Sequence, residues 1–206
     1  MLQVFLSAFI TLFLVIDPPG CAPIYAGLVS EASSAQQRRM AVKAVLIAAA
    51  ILLVFALFGE QLLGALHIQL NSFRIAGGVM LFLIALEMVF EKRTQRREER
   101  AEKIRATPEI EDVSVFPMAM PMLAGPGAIA SIMLLMARAH GTEATMAILA
   151  ALAAVMALTL VALLAAVPLM KLFGQDVETV VTRLLGVLLA ALAIQFVIDG
   201  IRGSFL

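Results

Sequence analysis

The chain has 206 residues, 62% of them hydrophobic and 15% charged, with a formal net charge of zero. Soluble domains run nearer half apolar, and the neutral balance excludes the basic footprint of a nucleic-acid partner. A single cysteine, Cys21, excludes an internal disulfide.

Six apolar segments follow one another, roughly 4–29, 42–64, 72–90, 113–137, 145–168 and 181–200, each near the ~20 residues that span a bilayer. So little polar sequence remains that a soluble protein could not cover them. The expected class is an all-α integral membrane protein with six transmembrane helices. The opening run MLQVFLSAFITLFLVI has no basic n-region, and prolines stand where a cleavage site would lie. It reads as a retained helix.

The first segment is broken by Val15-Ile16-Asp17-Pro18-Pro19-Gly20-Cys21-Ala22-Pro23. Asp17-Pro18 is a helix restart: Asp favours the N-cap, and proline fits the first helical position. Pro19 and Gly20 are expected to keep the first turn irregular, and Pro23 removes another donor. Ser7 and Thr11 stand one turn apart and read as back-bonding residues. Segments 2 and 3 are cleaner. Segment 3 opens Phe73-Arg74-Ile75-Ala76-Gly77-Gly78, where the glycines suit close helix packing. Glu60, Glu87 and Asp199 fall near segment ends and read as wet.

Residues 91–112 are the one long polar stretch. Seven basic and seven acidic residues leave it neutral, a solvated helical extension of segment 3 ending near Pro108. It divides the chain into 1–90, a first three-helix repeat, and 113–206, a second. Segment 4 is broken by Pro121-Met122-Leu123-Ala124-Gly125-Pro126-Gly127-Ala128.

Six crossings place twelve lysines and arginines on the side holding 91–112 and three on the other. That bias puts the linker in the cytoplasm and both termini outside. The halves also match. Arg74 and Arg183 begin segments 3 and 6 at an offset of 109, and Pro19-Gly20 and Pro126-Gly127 stand 107 apart. With three crossings per half, the second is inverted. Inverted repeats with matched broken helices are the pattern of secondary transporters.

Helix ends freed by the breaks suit an anionic group, and loosened carbonyls suit an ammonium. The candidate substrate-binding residues are Asp17, Pro19, Gly20, Cys21, Gly125, Pro126, Gly127 and Ala128. Asp17 is also the coupling-ion candidate, a role compatible with capping. No metal-ligand spacing, cofactor motif or ATP-binding motif is present, and no Ser–His pair or acidic dyad supports an enzyme. The implied partners are a small zwitterion and the lipid bilayer; a homo-oligomer is left open.

These residues carry a resemblance over essentially the whole chain. Asp17-Pro18-Pro19-Gly20 with Pro23, Phe73 to Gly78, Pro117 with Pro121 to Ile129, and Arg183-Leu184-Leu185-Gly186 with Ala193-Ile194-Gln195 resemble the MarC family of bacterial inner-membrane proteins. That family includes the SnatA-type neutral amino acid transporters. The resemblance implies six transmembrane helices and movement of glycine, alanine and similar amino acids with an ion gradient. The alternative function is a non-transporting inner-membrane assembly or regulatory protein.

Overall fold

The computed structural model describes residues 1–30, 32–90, 96 and 112–205, and the side chains of all of these except 168–179. Seven α-helices and one irregular stretch make up the described chain, with no strand among them. They are α1 (Leu2–Ile16), α2 (Pro18–Leu28), α3 (Ser34–Ala65), α4 (Leu70–Val89), the stretch Ser114–Leu123, α5 (Pro126–Ala137), α6 (Thr142–Leu164) and α7 (Ala166–Phe205). Five helical runs are long and apolar enough to cross a membrane, or six when the bent pair Ser114–Leu123 and α5 counts as one. The expected linker 91–112 lies outside the described residues except for Arg96 and Asp112.

Several boundaries differ from expectation for local reasons. α3 starts eight residues before the predicted apolar segment because a capping box closes its end. Ser33 accepts from the Gln36 amide, and the Gln36 side chain accepts from the Ser33 amide. α6 and α7 are separated only at Ala165. Pro168 has no amide to give the Leu164 carbonyl, so the ladder fails at that point and resumes beyond it. Segment 6 therefore belongs to a helix of 40 residues rather than 20.

Ser114–Leu123 is wound wide. The Met118 amide donates to the Val113 carbonyl and the Ala124 amide to the Ala119 carbonyl, each five residues back. Phe116 and Met120 are extended, as residues before a proline are driven to be. The stretch meets α5 at 53°.

The core runs along two seams. α4 and α7 pack antiparallel along their length. A side chain at Gly78 would meet the Ala193 carbonyl at 2.8 Å and Val197 at 2.7 Å; one at Gly186 would meet the Ala85 carbonyl at 3.1 Å and Val89 at 3.1 Å. Only glycine lets these backbones approach so closely. The second seam joins α1 to α6 and α3 to Ser114–Leu123 and α5. Large apolar side chains such as Leu46, Phe58, Val161 and Leu184 point outward. In water they would be a liability; in a bilayer they meet lipid.

Asp112 ties the start of the second half to α3. Its carboxylate accepts from the Lys43 ammonium at 2.6 Å and from the Ser114 amide at 2.9 Å. The Lys43 bond first, then Ser114, holds the Asp112 carboxyl down from 3.8 to about 2. A depressed acid stabilises above its unfolded pKa and loses that contribution as pH falls through the folded value. Wild type should therefore lose more thermal stability than Lys43→Gln between about pH 4 and pH 2. Both side chains are nearly half exposed, so the difference should stay below about 1 kcal/mol and vanish in high salt.

Candidate functional site

The first break is a single residue. Asp17 takes a left-handed conformation, φ 58°, and α2 restarts at Pro18. Against expectation, Pro19 and Gly20 are regular helix. The reason lies in how the backbone donors are used. Pro18 and Pro19 have none, the Gly20 amide donates to Asp17 Oδ1 at 3.1 Å, and the Cys21 amide donates to the Asp17 carbonyl at 3.0 Å. The Ile16 carbonyl, deprived of its Gly20 donor, accepts the Cys21 thiol at 3.4 Å. Asp17, Gly20 and Cys21 are buried. The start of α2 is thus closed by its own carboxylate, with no amide left to offer.

The second break is built differently. Gly125 is the N-cap of α5, and no side chain caps the helix. A side chain at Gly125 would sit 2.4 Å from the Pro121 carbonyl oxygen, so the turn requires glycine. Pro126 occupies the first helical position, and the first amides after it belong to Gly127 and Ala128. Both residues line a cavity of about 460 Å³, space on the order of 15 waters.

Residues Gly125 to Ala128, with Pro121 and Met122, form one wall of that cavity. Met80, Leu83, Ile84 and Glu87 form another, at the spacing that shares one face of α4. Val15, just ahead of the first break, also lines it. Asp17, Pro19, Gly20 and Cys21 are not among the lining residues, so the cavity gathers four of the eight predicted site residues. Glu87, expected to be wet near a segment end, lies two residues from the end of α4 with its side chain 27% exposed; it lines the cavity and pairs with Arg96. Its only sequence signal was an acid three residues from the end of an apolar run. Ser131, one turn beyond Gly127, is fully buried, and its hydroxyl finds no partner among the described residues.

The far end of α5 is tied to α7. Arg138, its C-cap, pairs with Asp199 of α7, and its guanidinium lies 4.7 Å from the Phe196 ring centre. Gln195 donates to the other Asp199 oxygen at 2.8 Å. Nearby, Arg74 donates to Asn71 at 3.2 Å, and Asn71 donates to the Gly203 carbonyl. Thr11 back-bonds to the Ser7 carbonyl at 2.8 Å, as its spacing suggested. No group of three or more metal-ligating side chains occurs among the described residues.

The MarC family of integral membrane proteins, compared by its sequence model, matches residues 2–205. The chain belongs to the MarC family. Among MarC-like relatives, a UPF0056 membrane protein of Methanocaldococcus jannaschii is 36% identical, covering 100% of this chain and 99% of its own. The UPF0056 membrane protein YhcE of Escherichia coli is 34% identical, over 98% and 94%. One from Archaeoglobus fulgidus is 31% identical, over 97% and 93%. The likeness therefore extends to archaeal membrane proteins as well as bacterial ones. No solved structure matches the chain.

Proposed function

We propose that this MarC-family protein is a secondary transporter of small neutral amino acids, or similar small zwitterions, working by alternating access. The observation that carries the reading is the cavity at the uncapped start of α5. Glu87 and the exposed Arg96 line it, while at the opposite end of α5 Arg138 is bonded to Asp199, which also accepts from Gln195. A helix start facing a wet cavity suits a carboxylate. Secondary transporters place such broken helices around their substrate.

Two inverted halves underlie the reading. Their elements pack as an exchange of halves requires: α1 on α6 as Ser114–Leu123 on α3, and α2 on α7 as α5 on α4. α2 and α5 begin at Pro18 and Pro126, 108 positions apart. The contacts of Gly78 with Ala193 and Val197 recur, 108 positions shifted, in those of Gly186 with Ala85 and Val89. That register pairs Asp17 with Gly125, and Gly20 with Ala128 rather than with Gly127. It also pairs Glu87, in the cavity wall, with Gln195, in the closed cluster. Glu87 borders a cavity where its counterpart Gln195 is bonded within a cluster, an asymmetry in keeping with one state of an alternating cycle.

In this reading the chain lies in a cell inner (plasma) membrane; the charge bias supports a cytoplasmic position for the Glu87 end of the cavity, with both termini outside. Asp17 is the residue proposed to sense a coupling proton or cation, and no chemical step is assigned to the chain. Orientation is checked with Cys21→Ala carrying single cysteines at Gln3, Thr94 or Ser204. An impermeant thiol reagent on intact cells should label Gln3 and Ser204 positions and spare Thr94; labelling at Thr94 alone reverses the orientation. Function is checked by counterflow of glycine and alanine in proteoliposomes. Saturable exchange supports the proposal. No flux of any amino acid favours the assembly or regulatory reading.

A further inference from the structure

We infer that Glu87 is the residue that recognises the ammonium group of the substrate, and so selects zwitterions over simple carboxylic acids. This rests on the transporter reading and deepens it. Glu87 is the one acidic side chain among the residues lining the cavity. It stands one turn along α4 from Ile84, whose Cδ1 atom lies 2.5 Å from where a Gly127 side chain would begin. Ile84 thus marks the level of the α5 helix start, and Glu87 lies a helical turn, about 5 Å, further along α4.

A small α-amino acid would lie between the two. Its carboxylate would accept from the amides at the start of α5. Its ammonium would then donate to Glu87 over charge-assisted bonds of about 2.8 Å. The remaining lining residues are apolar or small, with Arg96 the only cation. Short apolar side chains fit such walls, and a charged one does not.

Arg96 already supplies a cation to Glu87, which shows that the carboxylate can hold one in this position. Its side chain is 70% exposed, against 27% for Glu87. Exposed ion pairs contribute little, so an incoming ammonium can replace the guanidinium without a large penalty. Arg96 then becomes a competitor for the site rather than part of it.

The experiment compares glycine with glycolate, which carries a hydroxyl in place of the ammonium. Purified wild type, Glu87→Gln and Arg96→Ala are measured for ligand-dependent thermal shift and for counterflow. Glutamine keeps the shape of a partly wet side chain, and gel filtration confirms each fold. Wild type should prefer glycine. Glu87→Gln should bind glycine roughly 10- to 100-fold more weakly and narrow its preference over glycolate. Arg96→Ala should bind glycine more tightly. Equal losses for glycine and glycolate in Glu87→Gln would make the residue merely structural and overturn the assignment. Unchanged glycine binding with lost dependence on proton or sodium gradient would assign Glu87 to the coupling ion instead, and also overturn it. A wild type inert in both assays to glycine, to alanine and to every other amino acid would remove the transporter reading, and the assignment with it.

Discussion

Gly127→Val is expected to abolish transport and the thermal stabilisation that substrate confers. Its first side-chain carbon would lie 2.5 Å from Ile84 Cδ1, 3.3 Å from Val15 and 3.4 Å from Leu81. α5 starts here against α4 and the end of α1, at the wall of the cavity. An alanine can be met by a turn of the flexible Ile84 tip, so Gly127→Ala should be mild. Valine adds two methyls with one preferred rotamer, and overpacking of this kind costs about 1–3 kcal/mol. The protein should still insert, because valine suits a bilayer. Binding is the sharper readout: ligand at about 100 times its Kd stabilises by about 2.7 kcal/mol. That shift should fall to near zero in Gly127→Val. It should persist in Gly64→Val, where nothing lies within 4 Å of the added carbon. A full shift in Gly127→Val would show that the second break packs the fold without lining the site.

Asp17→Ala should be strongly destabilising. Two costs coincide in one buried position. Alanine in the left-handed region costs about 1–2 kcal/mol. The lost cap leaves the Gly20 amide without its acceptor in the interior, which costs about 1–2 more. A total of about 2–4 kcal/mol is expected. Asn tolerates the same backbone angles and caps almost as well, so Asp17→Asn should be close to wild type. Glycine accepts the angles but offers no cap, and Asp17→Gly should fall between. Thermal midpoints in detergent should rank Asn above Gly above Ala; Ala equal to Asn would mean that neither the cap nor the backbone angle matters. The Asn variant also tests coupling. If uptake by Asp17→Asn still follows the pH gradient, Asp17 carries no proton.

The sequence allowed the spans and the two breaks to be read because their causes are local. Proline removes a donor wherever it stands, and Asp17-Pro18 has the chemistry of a helix start without reference to any neighbour. The close packing expected of Gly77 and Gly78 also followed from residue type: Gly78 meets α7 and Gly77 meets Leu134 of α5. Glu87 was different. Its role depends on Gly125 to Ala128 and on Arg96, which the fold and not the spacing brings beside it. The regular course of Pro19 and Gly20 was equally hidden, because it depends on which acceptor the Gly20 amide finds. Arg74 reads in sequence as a snorkelling cation at an interface. Its place beside Asn71, with Arg138 and Asp199 close by, is set by three helices meeting.

The contrast between the two helix starts bears on the energetics of a full cycle. α2 carries a permanent carboxylate at the position where α5 has only Gly125. If the halves exchange roles between states, with the orientation proposed above, the helix start offered to the outside is already capped by Asp17, while the one offered to the inside carries no side-chain cap. A ligand carboxylate then meets a competitor on one face and none on the other. Dissociation constants on the two faces would be unequal, with the weaker on the outer side. Such a carrier releases readily at one surface and captures readily at the opposite one. The imposed gradient still dictates the direction of net flow, but half-saturation would come at lower concentration for substrate arriving from the cytoplasm.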